Sequence, residues 1–203
     1  MTQDNLTTNQ EAEVVEAEVM AEPNSRRAFL GCVAFAGLGA ALLGTTSAAE
    51  ALPLPARANN ERQYRTKLMA VATVSRITSQ LALNRATATD VLAFANFELN
   101  EANGVLQVLR EMGTVAPPPD AQDRAIIASL RNSRGVAFER TYTTAQYQAH
   151  VFLRNLGTDY VRNSRSRGNR TQEGHTRHIA MLSLPTINEH IAHTQSILRR
   201  MGA

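Results

Sequence analysis

Glu98 is the residue whose placement most invites chemistry. It falls on the apolar stripe of a helical segment, seven residues after Val91 and seven before Val105, which turns its carboxylate toward a core. A carboxylate there must be paired or shift its pKa, because burial disfavours the charged form. Tyr142, Gln146 and His150 recur at every fourth position and share one face of another helical segment, beside its apolar stripe. A Glu–His–Tyr group of this kind could hold a metal ion or a small polar ligand. It could equally be a hydrogen-bond network that fixes helix register. Polar core groups in bundles often specify pairing, so the structural network is the expectation and ligand binding the alternative.

The other spacings with chemical potential are weaker. His175 and His178 are three residues apart, and Glu189 and His193 four apart. Either spacing lets two side chains share a metal, but further ligands are missing. Glu189 and His193 also fall opposite Ile191 on the helical wheel, as an exposed pair would. A di-metal carboxylate centre in a helical bundle wants Glu-x-x-His pairs, and none occurs after residue 51. There is no Gly-rich phosphate loop and no G-x-S-x-G element. No cofactor is therefore expected, with a metal ion as the open alternative. Arg162, Arg165, Arg167 and Arg170 crowd one polar loop, and Arg199-Arg200 lies near the end of the chain. They suit an anionic envelope component (lipid headgroups or polysaccharide phosphates) or an acidic protein. The alternative is a solvated loop in a chain whose 21 basic residues include only one lysine, Lys67.

Helical periodicity supplies the scaffold for these residues. Segments at about 60–86, 90–112, 136–163 and 173–201 each carry an apolar face and a charged back, the pattern of an antiparallel four-helix bundle. In the first the stripe reads Leu68, Val71, Val74, Ile77, Leu81 and Ala82. In the last it reads Ile179, Leu182, Ile187, Ile191, Thr194, Leu198 and Met201. Thr87-Ala88-Thr89-Asp90 offers cap candidates for the second helix, and Gly113 followed by Pro117-Pro118-Pro119 stops it. A short extra helix is expected at about 121–132, between the second and third long ones. Pro185 should kink the last helix. No strand-like alternation of useful length follows residue 58, so the fold class is all-α.

The first fifty residues read differently. An acidic stretch is followed by Ser25, Arg26, Arg27, Phe29 and Leu30, a Gly-spaced apolar run to Gly44, and small residues with Ala-x-Ala exits near Ala49 and Ala51. This order resembles a twin-arginine (Tat) export signal. Residues 1–51 are thus expected to be a cleaved signal recognised by the Tat translocase, with 52–59 a linker and 60–203 the bundle domain. The alternative for the apolar run is a membrane anchor, though about 17 residues is at the short limit for spanning. Cys32 lies near the start of the apolar run and not after it, which argues against lipidation, and it is the chain's single cysteine. The portion after residue 51 holds 19 basic against 11 acidic residues, net +8, and no thiol. A basic, thiol-free, exported protein points to the periplasm, with outer-membrane association possible in principle. Export, 5% aromatics and the absence of Trp speak against a nucleic-acid partner.

Ser79-Gln80-Leu81-Ala82-Leu83 and Asp90-Val91-Leu92-Ala93-Phe94-Ala95 resemble the opening of the bacterial domain-of-unknown-function family 4142, once labelled outer-membrane proteins. Phe138-Glu139-Arg140-x-Tyr142, Gln146-x-x-x-His150 and Leu184-Pro185-x-Ile187-x-Glu189-His190 are similar to its later blocks, in family order. The resemblance implies a ferritin-like bundle and an export context, and no particular reaction. Many members carry an Asp-His pair in the second helix, where this chain has Glu98-Leu99-Asn100-Glu101. The functional expectation is a non-catalytic binding or envelope-associated protein. The alternative is a metal-dependent oxidoreductase or metal-storage protein using the Glu98/His150 region. The oligomeric state is not legible.

Overall fold

A computed structural model describes residues 56–164 and 172–202. Within them the chain is all-α: α1 (Glu61–Arg85), α2 (Thr89–Glu111), α3 (Ala121–Asn132), α4 (Gly135–Asn163) and α5 (Gln172–Gly202). No strand occurs among the described residues. The Tat-like motif, Ser25 to Leu30, and Arg165, Arg167 and Arg170 lie outside the described residues. No described helix is long and apolar enough to cross a membrane.

Local chemistry sets most of the helix ends. Asn60 caps α1, its side chain accepting from the Gln63 amide at 2.9 Å. Asp120 and Asp123 form a capping box at α3, each carboxylate accepting from the other's backbone N–H. Gly113, at φ 71°, ends α2 in a left-handed turn that bonds the Thr114 amide to the Leu109 carbonyl and the Gly113 amide to that of Arg110. Pro185 lies inside α5, exposed, and one helix continues across it.

The start of α2 departs from expectation. Its N-cap position is Ala88, with no side-chain cap bond, so neither threonine of the Thr87–Asp90 segment serves as the cap. The Glu139 carboxylate of α4 instead holds the amides just ahead of the first turn. One oxygen accepts from the amides of Thr87 at 2.6 Å and Ala88 at 2.8 Å, and from the Thr87 hydroxyl at 3.1 Å. A buried carboxylate satisfied by amides beside a helix N-terminus is well placed electrostatically. It also ties α2 to α4 across 51 residues of chain.

α1 packs mainly on α2, α4 on α5, and α1 joins the two pairs through α4. The apolar core falls into two clusters. One gathers Tyr64, Leu68, Met69, Leu106, Leu109 and Leu156, with Tyr64 and Tyr160 stacked at 4.6 Å. The other gathers Val91, Phe94, Leu130, Phe138, Tyr142 and Ile197. Along α1, α2, α4 and α5 alike, polar residues separate the two. This shifts the stripe of α1 from its apolar reading: Val71, Val74 and Ile77 are only half-buried, while Ser75, Thr78 and Ser79 are buried. The three hydroxyls face inward because partners on α2 and α4 satisfy them there. Leu182 of α5, read as part of the core stripe, is 77% exposed.

Candidate functional site

The polar layer contains every residue of the expected cluster. Glu98 comes from α2, and Tyr142, Gln146 and His150 from α4, all buried. The structure divides them into two linked groups. Tyr142 hydroxyl and Ser79 Oγ are 2.9 Å apart. Gln146 Nε2 donates to Thr78 Oγ1 at 3.0 Å. Ser75 links this side to Glu98: its Oγ donates to Glu98 Oε1 at 2.5 Å and lies 3.2 Å from Gln146 Oε1. Tyr142 and Gln146 therefore support the layer, while Glu98 and His150 meet directly.

A residue not singled out with that cluster completes it. His190 of α5 brings Nδ1 to 3.1 Å from Glu98 Oε2 and 3.1 Å from His150 Nε2, and His150 Nε2 is 3.2 Å from Glu98 Oε2. Three atoms of the kinds that can ligate a metal thus form a nearly equilateral triangle. A tetrahedral ion with bonds of about 2.0–2.1 Å spaces its donors roughly 3.3–3.4 Å apart, so the triangle has the right size. The sequence signal was present: Ile187 and Ile191 flank His190 on the same helical face, and all three pack inward. Glu101, one turn after Glu98, sits at the edge with Oε2 3.6 Å from His190 Nδ1 and a side chain 35% exposed.

Hydrogen bonding decides how these atoms can be used. His150 Nδ1 is 2.7 Å from the Gln146 carbonyl, which can only accept, so Nδ1 carries the proton. In the neutral ring Nε2 then offers its lone pair to the triangle. Fixing the tautomer of a ligand histidine through its outer nitrogen is the usual support of a metal site. Glu98 Oε2 is buried close to both rings and accepts no well-directed hydrogen bond. His190 Nδ1 completes the triangle either by donating its proton to these acceptors or, without that proton, as a third lone pair around a metal ion.

The electrostatics agree. Burial works to raise the Glu98 pKa, but short contacts with His150, His190 and Ser75 outweigh it and hold the carboxyl far below its ordinary range. Burial works to lower that of His150, but Glu98 outweighs it and keeps the ring above its ordinary value. Glu101 is raised, by burial first and also by the charge of Glu98. Phe94 packs against the rings of His190 and His193, with ring centroids 5.3 and 5.5 Å apart.

Glu98 and His150 also form part of the wall of a cavity of about 40 Å³. Glu101 and Ser75 line it too, but most of the lining is aliphatic, including Val71, Ala102, Val105, Ala149, Leu153 and Ile187.

The remaining sequence candidates do not join this centre. His175, His178 and Glu189 are exposed. The Glu189–His193 pair fails as an exposed couple because His193 is half-buried, in T-shaped contact with Phe94. Arg162, the described member of the arginine group, is exposed.

The chain belongs to the family described as domain of unknown function (DUF4142), whose model matches residues 45–197. No curated protein and no solved structure shows a significant match.

Proposed function

We propose that this member of a family of unknown function is an exported, ferritin-like helical bundle that holds one divalent transition-metal ion on Glu98, His150 and His190. The observation that carries this reading is the triangle of Glu98 Oε2, His150 Nε2 and His190 Nδ1, with sides of 3.1–3.2 Å and a carboxylate oxygen lacking any directed donor. One carboxylate and two imidazoles suit Zn(II) or Fe(II). The donors describe a mononuclear site, because the bridging carboxylates of a di-metal centre are missing from it. The tight hydrogen bonding of Ser75, Thr78, Ser79, Tyr142 and Gln146 supports the metal-ligand helices from behind. The Glu98 oxygen without a directed donor, inside the triangle, is what supports the metal-binding alternative to a purely register-fixing network, and the reading requires no catalytic turnover.

Location in the periplasm, after Tat export and signal removal, rests on the Arg26-Arg27 motif. It fits a protein loaded with its ion before translocation. The arginines at 162–170 and Arg199 are the candidate contact with an anionic envelope component or an acidic protein, Arg200 being held by Asp90 Oδ2 at 2.6 Å.

The test is metal titration of the full chain after chelator treatment, with Zn(II) or the spectroscopic substitute Co(II). The parent and His193→Ala should bind one equivalent. His190→Ala should lose binding, since it removes one of three donors while His193, one turn away, is no ligand. Equal affinity of His190→Ala and the parent would overturn the assignment.

A further inference from the structure

Glu98, His150 and His190 account for three corners of a tetrahedral ion. A fourth donor stands beside them. Glu101 follows Glu98 by three residues on α2, so the two carboxylates share one face of that helix. Its Oε2 is 3.6 Å from His190 Nδ1, close to the roughly 3.3–3.4 Å between donors on a tetrahedral ion. That oxygen lies at the His190 corner, outside the close group of three atoms. Glu101 is half-buried and more exposed than Glu98 or His190, so its side chain has room to turn.

Charge gives that movement a reason. A divalent ion held by one carboxylate and two neutral imidazoles keeps one positive charge. Burying it is costly unless a second anion meets it. Among the described residues, Glu101 is the acid other than Glu98 in ion-pair contact with a histidine of the triangle. Nearby neutral groups are already engaged: Ser75 Oγ donates to Glu98 Oε1, and Gln146 Nε2 to Thr78 Oγ1. Neither supplies charge.

We infer that Glu101 is the fourth protein ligand, turning its carboxylate from the His190 corner onto the ion and completing a site of two glutamates and two histidines. This assignment rests on the metal reading of the triangle. An ion with four protein ligands has no open position, the arrangement of sites that hold a metal and do not process a substrate on it. Glu101, at the solvent edge, is then the ligand that parts from the ion first when the metal enters or leaves.

The experiment loads the full chain with Co(II), whose visible absorption reports its ligands, and adds azide as the probe for an open position. Zinc affinities are measured alongside, with helicity checked by circular dichroism. The parent's cobalt bands should be unchanged by azide. Glu101→Ala should bind azide, with a shift of those bands. Loss of a group that merely supports a ligand already weakens metal binding about 10–100-fold, so Glu101→Ala and Glu101→Gln should each bind Zn(II) at least about tenfold more weakly. Glu189→Gln, which removes an exposed carboxylate from α5, should keep the parent's affinity and so separate ligation from a general charge effect. Parental zinc affinity in both Glu101 variants overturns the inference and leaves the three-ligand site standing. So does a parent whose cobalt bands respond to azide as Glu101→Ala does, or a loss in Glu189→Gln as large as in Glu101→Gln. A parent that binds neither cobalt nor zinc overturns the metal reading itself.

Discussion

Substituting Glu98 separates a metal ligand from a structural carboxylate. In Glu98→Ala the Ser75 hydroxyl loses its 2.5 Å acceptor, and His150 and His190 lose the oxygen at 3.1–3.2 Å. Leaving such groups unsatisfied in a site where Glu98 is only 6% exposed should cost roughly 1–3 kcal/mol. The lost methylene adds about 0.8 kcal/mol. At about 2–4 °C per kcal/mol for a domain of this size, the metal-free variant should melt roughly 4–15 °C below the parent. Glu98→Gln keeps the shape and an acceptor for Ser75, and its amide can donate to His150 Nε2, so its metal-free form should melt much closer to the parent. Metal separates the two roles. Zn(II) at 100 times its dissociation constant should stabilise the parent by about 2.7 kcal/mol, an upward shift of about 5–11 °C. Both variants should lose that shift, because the ion requires the carboxylate's charge. Calorimetric melts with and without Zn(II), alongside titration calorimetry, read both quantities. A Glu98→Gln protein with the parent's zinc shift would refute the ligand role, and a Glu98→Ala protein as stable as the parent would refute the buried site altogether.

Three further outcomes follow from the structure. Glu139→Ala strands the Thr87 and Ala88 amides at the start of α2 and should cost roughly 1–3 kcal/mol by denaturant melts, with no change in metal affinity; a change in zinc binding would show that the cap and the centre are coupled. For the metal-free protein, the Glu98 pKa is depressed, so its contribution is present above its ordinary 4.5 and lost as pH falls toward the folded value, whereas the raised His150 contributes fully below its ordinary 6.5 and loses this as pH rises through the folded value. The pair should thus support the metal-free fold most between those ordinary values, and the melting shift on adding Zn(II) should grow as pH rises past His150's folded value, since the ion then no longer competes with its proton; a shift independent of pH would contradict this. Replacing Arg26 and Arg27 together by Lys should retain the precursor in the cytoplasm, and normal periplasmic levels of that variant on fractionation would contradict Tat export.

The buried chemistry shows how a chain can be half-read from its sequence. Helix positions follow from periodicity and local punctuation because each signal acts within a few residues: Asn60 three before Gln63, the Asp120–Asp123 box, Gly113 with its left-handed turn. For the same reason the stripe position of Glu98 and the shared face of Tyr142, Gln146 and His150 were legible, since both are properties of single helices. The family resemblance lay in short sequence blocks and is matched over residues 45–197.

What one helix cannot state is what another brings to it. The face of α1 looked apolar through Val71, Val74 and Ile77, yet Ser75, Thr78 and Ser79 are buried because Glu98, Gln146 and Tyr142 arrive from α2 and α4 with matching groups. Cap candidates for α2 were sought in Thr87–Asp90; no side chain caps its first turn, and the amides just ahead of it are held by a carboxylate 51 residues away. The spacing of His190 to His193 on α5 pointed within that helix, whereas its partners, Glu98 and His150, belong to α2 and α4. Hydrophobic periodicity records burial along one helix, while hydrogen bonds and metal ligands are satisfied across helices. The positions of the elements were therefore set locally, and the identity of the centre was decided only when four helices packed.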